Sequence, residues 1–199
     1  MILFSVRISN NKEQVAHQEV ERRFMPVIKE GEYPSIISRL STIASPVVLI
    51  KQGYFEVTNP AKSFRIRVIK KFLLQAKAFL TIKCGKGLVR EEFEKEIDLE
   101  LGEKLWEISH YKLEKMRHYV DGWEIDVFQG PLYGIILAEK EIGSIDESVE
   151  LPPSLKSIFN EVREVTDSLT NHDLARLATD LKELGIPAIS LVLKTKGSG

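Results

Sequence analysis

The chain has 199 residues, 43% of them hydrophobic, which suits one domain with a sizeable core. Its 28 Lys plus Arg nearly balance 29 Asp plus Glu, for a formal net charge of −1; this excludes a globally basic nucleic-acid coat and argues against an acidic disordered chain. A single cysteine, Cys84, excludes an intrachain disulfide and speaks against a cysteine-based zinc cluster, and no apolar run approaches the roughly 20 residues that span a bilayer.

The apolar start, Met1 to Ile8, lacks the basic flank and cleavage site of a signal peptide, so a soluble cytoplasmic protein is expected. The polar stretch Ser5–Gln14 takes no assignment. A first strand is predicted over Gln18–Met25. Pro34 then opens a helix whose Ile36, Ile37, Leu40 and Ile43 form one apolar stripe. Strands follow over Val47–Val57, Lys62–Ile69, Ala76–Cys84 and Arg90–Asp98, and Gly85-Lys86-Gly87 turns the chain between the last two. A short helix over Leu99–Ile108 leads to strands Lys112–Val120 and Trp123–Gln129, joined by Asp121-Gly122, a favoured tight-turn dipeptide. The eighth strand is Gly134–Ile142. A short helix is predicted within Pro152–Asn160, and a last helix starts from Asn171 as N-cap, carries Leu174, Leu177, Ala178 and Leu181 on one face, and stops at Gly185 and Pro187. No repeat or long linker divides the chain, which reads as one domain over 1–199 with a short tail at 195–199.

Charge alternates with apolar residues inside the strands. Glu19, Glu21 and Arg23 share one face opposite Val20 and Phe24; Arg65 and Arg67 oppose Phe64, Ile66 and Val68. Lys83 opposes Ile82 and Cys84; Glu92, Glu94 and Glu96 oppose Phe93 and Ile97, with Lys95 interrupting the apolar side. Lys115 and Arg117 precede Glu124 and Asp126, which oppose Trp123, Ile125 and Val127, and Glu139 and Glu141 oppose Ala138 and Ile142. One reading is an ordinary antiparallel sheet with a wet face. Against it, these faces carry few Thr, Ser or Gln, and most strands bear charges largely of one sign, whose mutual repulsion calls for a partner. The other reading is a closed eight-stranded antiparallel barrel of α+β class, charges inside, apolar side chains outside under helices. Desolvation costs several kcal/mol per ion, so such an interior must be wet and ligand-filled. Carboxylates suit a divalent cation and the basic strands suit a polyanion, together a metal–polyphosphate site.

The same residues carry a resemblance. EVERRF at Glu19–Phe24 resembles the ExExK signature of the CYTH domain, or triphosphate tunnel metalloenzyme fold. KQGYFEV, SFRIRV, FLTIKCG, EEFEKEI, KMRHYV, GWEIDVFQG and LAEKEI follow in order, and EVTDSLTNHDLA at Glu164–Ala175 resembles the closing EVT…NxxLA segment. The similarity spans about 18–178, leaving 1–17 as an N-terminal extension. It implies a closed tunnel that binds a triphosphate and Mg²⁺ or Mn²⁺. By position, Glu19, Glu21, Glu139 and Glu141 match metal-binding acids, while Arg23, Arg65, Arg67, Lys83, Lys115 and Arg117 match the cations that hold phosphates. Glu21, Arg23 and Lys83 are the catalytic candidates, and Glu92, Glu94, Glu124 and Asp126 match further tunnel acids. Tyr54 follows Gln52-Gly53 as in bacterial members.

Two departures stand out. Arg23 replaces the signature lysine; arginine stays charged, so it suits phosphate clamping and not general-base work. The closing segment lacks the family's tyrosines before its asparagine and has Thr170 and His172 there. The expected function is metal-dependent hydrolysis of a small triphosphate, inorganic tripolyphosphate first, by in-line water attack. An adenylyl cyclase, a thiamine triphosphatase and a non-catalytic polyphosphate-binding module are the alternatives. No nucleic-acid or membrane partner is expected, and a homodimer is left open. His17, His110, His118 and His172 show no ligand spacing and are assigned to packing or surface, as are Trp106 and Trp123; Cys84 is expected as a buried thiol.

Overall fold

The computed structural model describes residues 17–44, 46–59, 62–71, 73–84, 89–186 and 188, with the backbone alone at 17–19, 89 and 90. The polar 5–14 stretch, the Gly85-Lys86-Gly87 turn and the 195–199 tail lie outside the described residues.

The alternating segments form strands β1 (His17–Pro26), β2 (Val47–Phe55), β3 (Lys62–Lys71), β4 (Lys77–Cys84), β5 (Val89–Ile97), β6 (Tyr111–Val120), β7 (Trp123–Phe128) and β8 (Ile136–Glu141). A ninth, β9 (Val162–Glu164), is too short to show a period and was not expected. It is held by its register with Phe24–Pro26 and by the Arg22–Glu164 ion pair at 2.5 Å. Helices are α1 (Tyr33–Ile43), α2 (Leu99–Ile108), α3 (Pro153–Lys156) and α4 (Asn171–Leu184).

All strands join one antiparallel sheet in the order β5-β4-β3-β2-β6-β7-β8-β1-β9, with an additional β5–β1 pairing. β1 divides its length among three neighbours: His17–Val20 pair β5, Glu21–Phe24 pair β8, and Phe24–Pro26 pair β9. The β6–β7 turn has Asp121 at φ 48° and Gly122 at φ 75°, the left-handed pair that a two-residue hairpin demands.

The apolar parity builds the outer wall. Phe24, Trp123, Ile125, Val127 and Ala138 are buried beneath α1 and α3 with Ile36, Leu40, Leu155 and Phe159. α2 lies close to β4; a Cβ on Gly102 would fall 2.2 Å from the Ala78 methyl, so only glycine permits that approach. Beyond α2 the wall is thinner. Ile82 is 40% exposed, and Cys84 is half-buried instead of fully buried as expected.

α4 does something different. Its Leu174, Ala175, Ala178 and Leu181 pack on Tyr54, Leu113, Phe128 and Leu137. These four have the parity of the charged residues, so α4 covers one end of the ionic face, where that face turns apolar. Burying a leucine such as Leu174 or Leu181 contributes about 1.5–3 kcal/mol. The N-cap is Thr170, not Asn171: the Thr170 hydroxyl accepts from Asp173 N–H (3.1 Å), and the Asp173 carboxylate accepts from Thr170 N–H (2.9 Å). Asn171 is thereby released from capping. Gly185, at φ 68°, ends the helix. No described helix is long and apolar enough to cross a membrane.

Candidate active site

The pleat puts the charged parity of β1 and β3–β8 on one face, and there the side chains enclose a cavity of about 530 Å³. Of the residues predicted from sequence, Glu21, Arg23, Arg65, Arg67, Lys83, Glu92, Glu94, Arg117, Glu124, Glu139 and Glu141 line it. The ladder explains how segments far apart in sequence meet. Tyr119, Glu124, Glu139 and Arg23 are successive cross-strand partners in one row over β6, β7, β8 and β1. Of Glu19 only the backbone is described, opposite Arg90.

Lys115 and Asp126, expected among the lining charges, lie behind it. Both are completely buried and paired with each other, and the Lys115 ammonium also donates to Asn171 Oδ1 at 2.9 Å. Their depth follows from the neighbours that share their face, Leu113, Phe128 and Leu137, which α4 covers. Arg117 spans both levels. Its Nε and Nη2 donate to the two Asp126 oxygens, each at 2.7 Å, Nη2 reaches Glu139 at 2.7 Å, and Nη1 contacts Glu124. Burial alone would push the Asp126 carboxyl up, but the Arg117 and Lys115 charges outweigh it and hold it well below the usual carboxylate range. Burial pulls the Lys115 ammonium down against the opposing pull of Asp126. For Glu124, burial raises the carboxyl despite Arg117.

The basic side gathers Arg65, Arg67 and Lys83 against Glu92 and Glu94. Arg65 Nη2 meets Thr81 Oγ1 and Glu92, both at 3.2 Å, and Glu94 at 3.6 Å; Lys83 pairs with Glu92 at 2.6 Å. Arg67 comes no nearer to Glu94 than 4.0 Å. Burial, then repulsion from Arg65 and Arg117, depresses its guanidinium below the ordinary value. The Nε atoms of Arg23, Arg65 and Arg67 are buried with no hydrogen-bond partner. All three residues line the cavity, and guanidinium groups gathered at one cavity suit an anion rich in oxygen. The other functional candidate, Arg23, is anchored: its Nη2 donates to the Thr166 carbonyl at 2.5 Å, its backbone N–H to Thr166 Oγ1 at 3.0 Å, and Nη1 stands 3.7 Å from Glu21.

The acidic side offers oxygen donors. Glu21 and Glu141 are directly opposed on β1 and β8, with Glu139 two residues away. That donor set fits a hard divalent cation in chemistry. Among the described residues no three Asp, Glu, His or Cys groups are gathered at metal-holding distances, and Glu139 is engaged by Arg117 and Asn171.

Reasoning from strands alone missed the contribution of the α4 N-terminus, where the cap Thr170 and the first-turn residues Asn171, His172 and Asp173 line the cavity. Asn171 Nδ2 donates to Glu139 Oε1 at 2.9 Å. His172, assigned to packing, stacks on Tyr54 with ring centroids 4.9 Å apart, so it packs and lines the cavity at once. The signal present was the EVT…NHDLA segment at 164–175, whose asparagine carries no chemistry readable without its neighbours. Of the other histidines, His118 is buried, the exposed His110 accepts from the Glu56 N–H, and the side chain of His17 lies outside the described part of the structure.

No protein-family model matches the chain. An inorganic triphosphatase of Nitrosomonas europaea is 31% identical to it over 142 residues, 68% of this chain and 83% of that protein. An inorganic triphosphatase of Acetivibrio thermocellus is 30% identical over 132 residues, 63% of this chain and 74% of that one. Among solved structures, a Pyrococcus horikoshii protein aligns with a TM-score of 0.50 at 17% identity, over 83% of this chain and 99% of its own, a likeness of fold alone.

Proposed function

Because the chain belongs to the CYTH, or triphosphate tunnel metalloenzyme, family, we propose that it hydrolyses a small linear triphosphate, inorganic tripolyphosphate before others, in the presence of Mg²⁺ or Mn²⁺. The observation that carries this reading is the gathering of Arg23, Arg65, Arg67, Lys83 and Arg117 around a cavity that carboxylates also line.

The same proposal takes the sheet as a closed eight-stranded tunnel within a single domain. Supporting it, β1 passes from β5 to β8 partway along its length, so that β5, at one end of the strand order, also pairs with β1, next to the other end. α4 stands at one end, so the substrate enters from the other.

In-line attack by water on phosphorus is opposed by the negative charge of the phosphates, and neutralising that charge is the protein's principal task. Arg65, Arg67, Arg117 and Lys83 serve this role along the cavity, and Arg23, fixed by Thr166, clamps from β1. A cation–phosphate contact near 4 Å contributes about 4 kcal/mol at an effective dielectric of 20, before desolvation is subtracted. Lys115 works from behind, helping to hold Asp126 and through it Arg117. Glu21, Glu139 and Glu141, with Glu19, would hold the divalent cation, which when bound withdraws charge from the phosphate and promotes ionisation of water. Glu124, whose protonation burial favours, accepts the proton of the attacking water as the P–O–P bond breaks into orthophosphate and pyrophosphate. Arg23 cannot take that part, since guanidinium keeps its proton.

The test is orthophosphate release from tripolyphosphate, thiamine triphosphate, ATP and pyrophosphate with Mg²⁺, Mn²⁺ or a chelator. Release from tripolyphosphate that the chelator abolishes is the expected result. Tight tripolyphosphate binding without turnover under any divalent cation, or conversion of ATP to cyclic AMP and pyrophosphate in preference to hydrolysis, overturns it.

A further inference from the structure

We propose that Asn171 is a positioning residue of this reaction, holding Glu139 and Lys115 at a fixed separation from the first turn of α4. This rests on the triphosphatase reading above and names the part that α4 plays in it.

The carboxamide is used at both ends. Oδ1 accepts from the Lys115 ammonium at 2.9 Å and Nδ2 donates to Glu139 Oε1 at 2.9 Å. Glu139 Oε2 is taken by Arg117 at 2.7 Å, so both oxygens of this buried carboxylate are oriented by protein donors. Arg117 and Lys115 converge in turn on Asp126, which closes a ring of five side chains: Asn171, Lys115, Asp126, Arg117 and Glu139. Asn171 is the only member of that ring that comes from outside the sheet.

Its own position is set twice. The reciprocal Thr170–Asp173 cap fixes the first helical turn, and Leu174, Ala175, Ala178 and Leu181 seat the helix on the apolar end of the inner face. The packing of α4 is therefore transmitted to the charged cavity through one amide. Asparagine alone among uncharged side chains of this length offers a donor and an acceptor from the same rigid plane. Alanine would strand both partners. Aspartate would keep the acceptor for Lys115, lose the donor to Glu139 and place a second carboxylate beside it.

The experiment measures kcat and KM for tripolyphosphate with saturating Mg²⁺ in wild type, Asn171→Ala and Asn171→Asp, together with thermal melting and metal-free tripolyphosphate binding. Loss of a group that orients a functional carboxylate costs roughly 10- to 100-fold. The expected result is a kcat loss of that size in both variants, with KM and metal-free affinity close to wild type. Asn171→Asp guards against misfolding, because an acid in the first turn of a helix is favourable. A raised KM with unchanged kcat means that Asn171 binds the phosphate directly, and it overturns the proposal. Unchanged kcat in either folded variant overturns it as well, as does a kcat loss matched by loss of folded protein in both. An inactive wild type overturns the proposed function and this inference with it, whereas an active wild type with indifferent variants removes the inference alone.

Discussion

Glu21 and Glu141 stand directly opposite one another across the β1–β8 ladder, two carboxylates at positions where a stable sheet favours opposite charge. The second such pair, Glu124 and Glu139, has Arg117 between its members, in contact with both. Arg23 Nη1 stands 3.7 Å from Glu21. The arrangement makes chemical sense with a hard cation between the opposed pair.

Glu21→Gln keeps the size of the side chain and removes its charge. Turnover of tripolyphosphate at saturating divalent cation falls roughly a hundredfold or more, as for other lost electrostatic groups at a reacting centre. Thermal stability in chelator stays near wild type, since one like-charge opposition disappears along with the Arg23 contact. Steady-state kinetics and melting curves check both, and wild-type-like activity would remove Glu21 from the metal site.

Arg67 is held among like charges, and its guanidinium is depressed first by burial and then by Arg65 and Arg117. The cost of keeping it charged is present at every pH below its folded pKa and is relieved only as the pH rises through that value. Arg67→Met is therefore predicted to melt at a higher temperature than wild type around neutral pH, without ligand. It also loses a charge-assisted contact worth about 1.5–3 kcal/mol, or roughly 10- to 150-fold in tripolyphosphate affinity. Calorimetric titration and thermal melting measure the two effects; a variant that loses stability while keeping its affinity would assign Arg67 a purely structural role.

Asp126 carries the stability side of the site. Although burial opposes its charge, Arg117 and Lys115 keep its folded pKa below the ordinary 3.8. Its contribution is complete above that ordinary value and is lost as the pH falls from about 4 towards the depressed one. Asp126→Asn leaves two buried cations short of their anion and costs about 3–5 kcal/mol. Urea unfolding at pH 7 and at steps from pH 5 to pH 2.5 should show a lower midpoint and a flatter acid limb than wild type. An unchanged midpoint would contradict the account of this pair.

The period-two pattern made the faces legible. It assigned Glu21, Arg65, Arg67, Lys83 and Glu139 to one side and Ile66, Ile125 and Ala138 to the other, and the strand limits fall within a few residues of expectation. Parity says which face a side chain takes but not how deep it lies, which is why Lys115 and Asp126 were expected at the cavity wall. Their depth depends on α4 covering Leu113, Phe128 and Leu137, a contact between segments far apart in the chain. β9 has only three residues and owes its pairing to Arg22 and the β1 backbone, not to any pattern of its own. Asparagine is a favoured cap, which is what the sequence suggests for Asn171; the Thr170–Asp173 pair takes that position and the amide turns towards Glu139.

The most direct test of the central claim, that the charged face encloses a triphosphate, is a crystal structure with tripolyphosphate and Mn²⁺, the metal located by its anomalous signal. The account predicts phosphate oxygens within hydrogen-bonding distance of Arg65, Arg67 and Arg117, and manganese against Glu21 and Glu141 in the same cavity. Phosphate bound on the outer wall, or an open sheet whose charged side chains meet only bulk water, would contradict it.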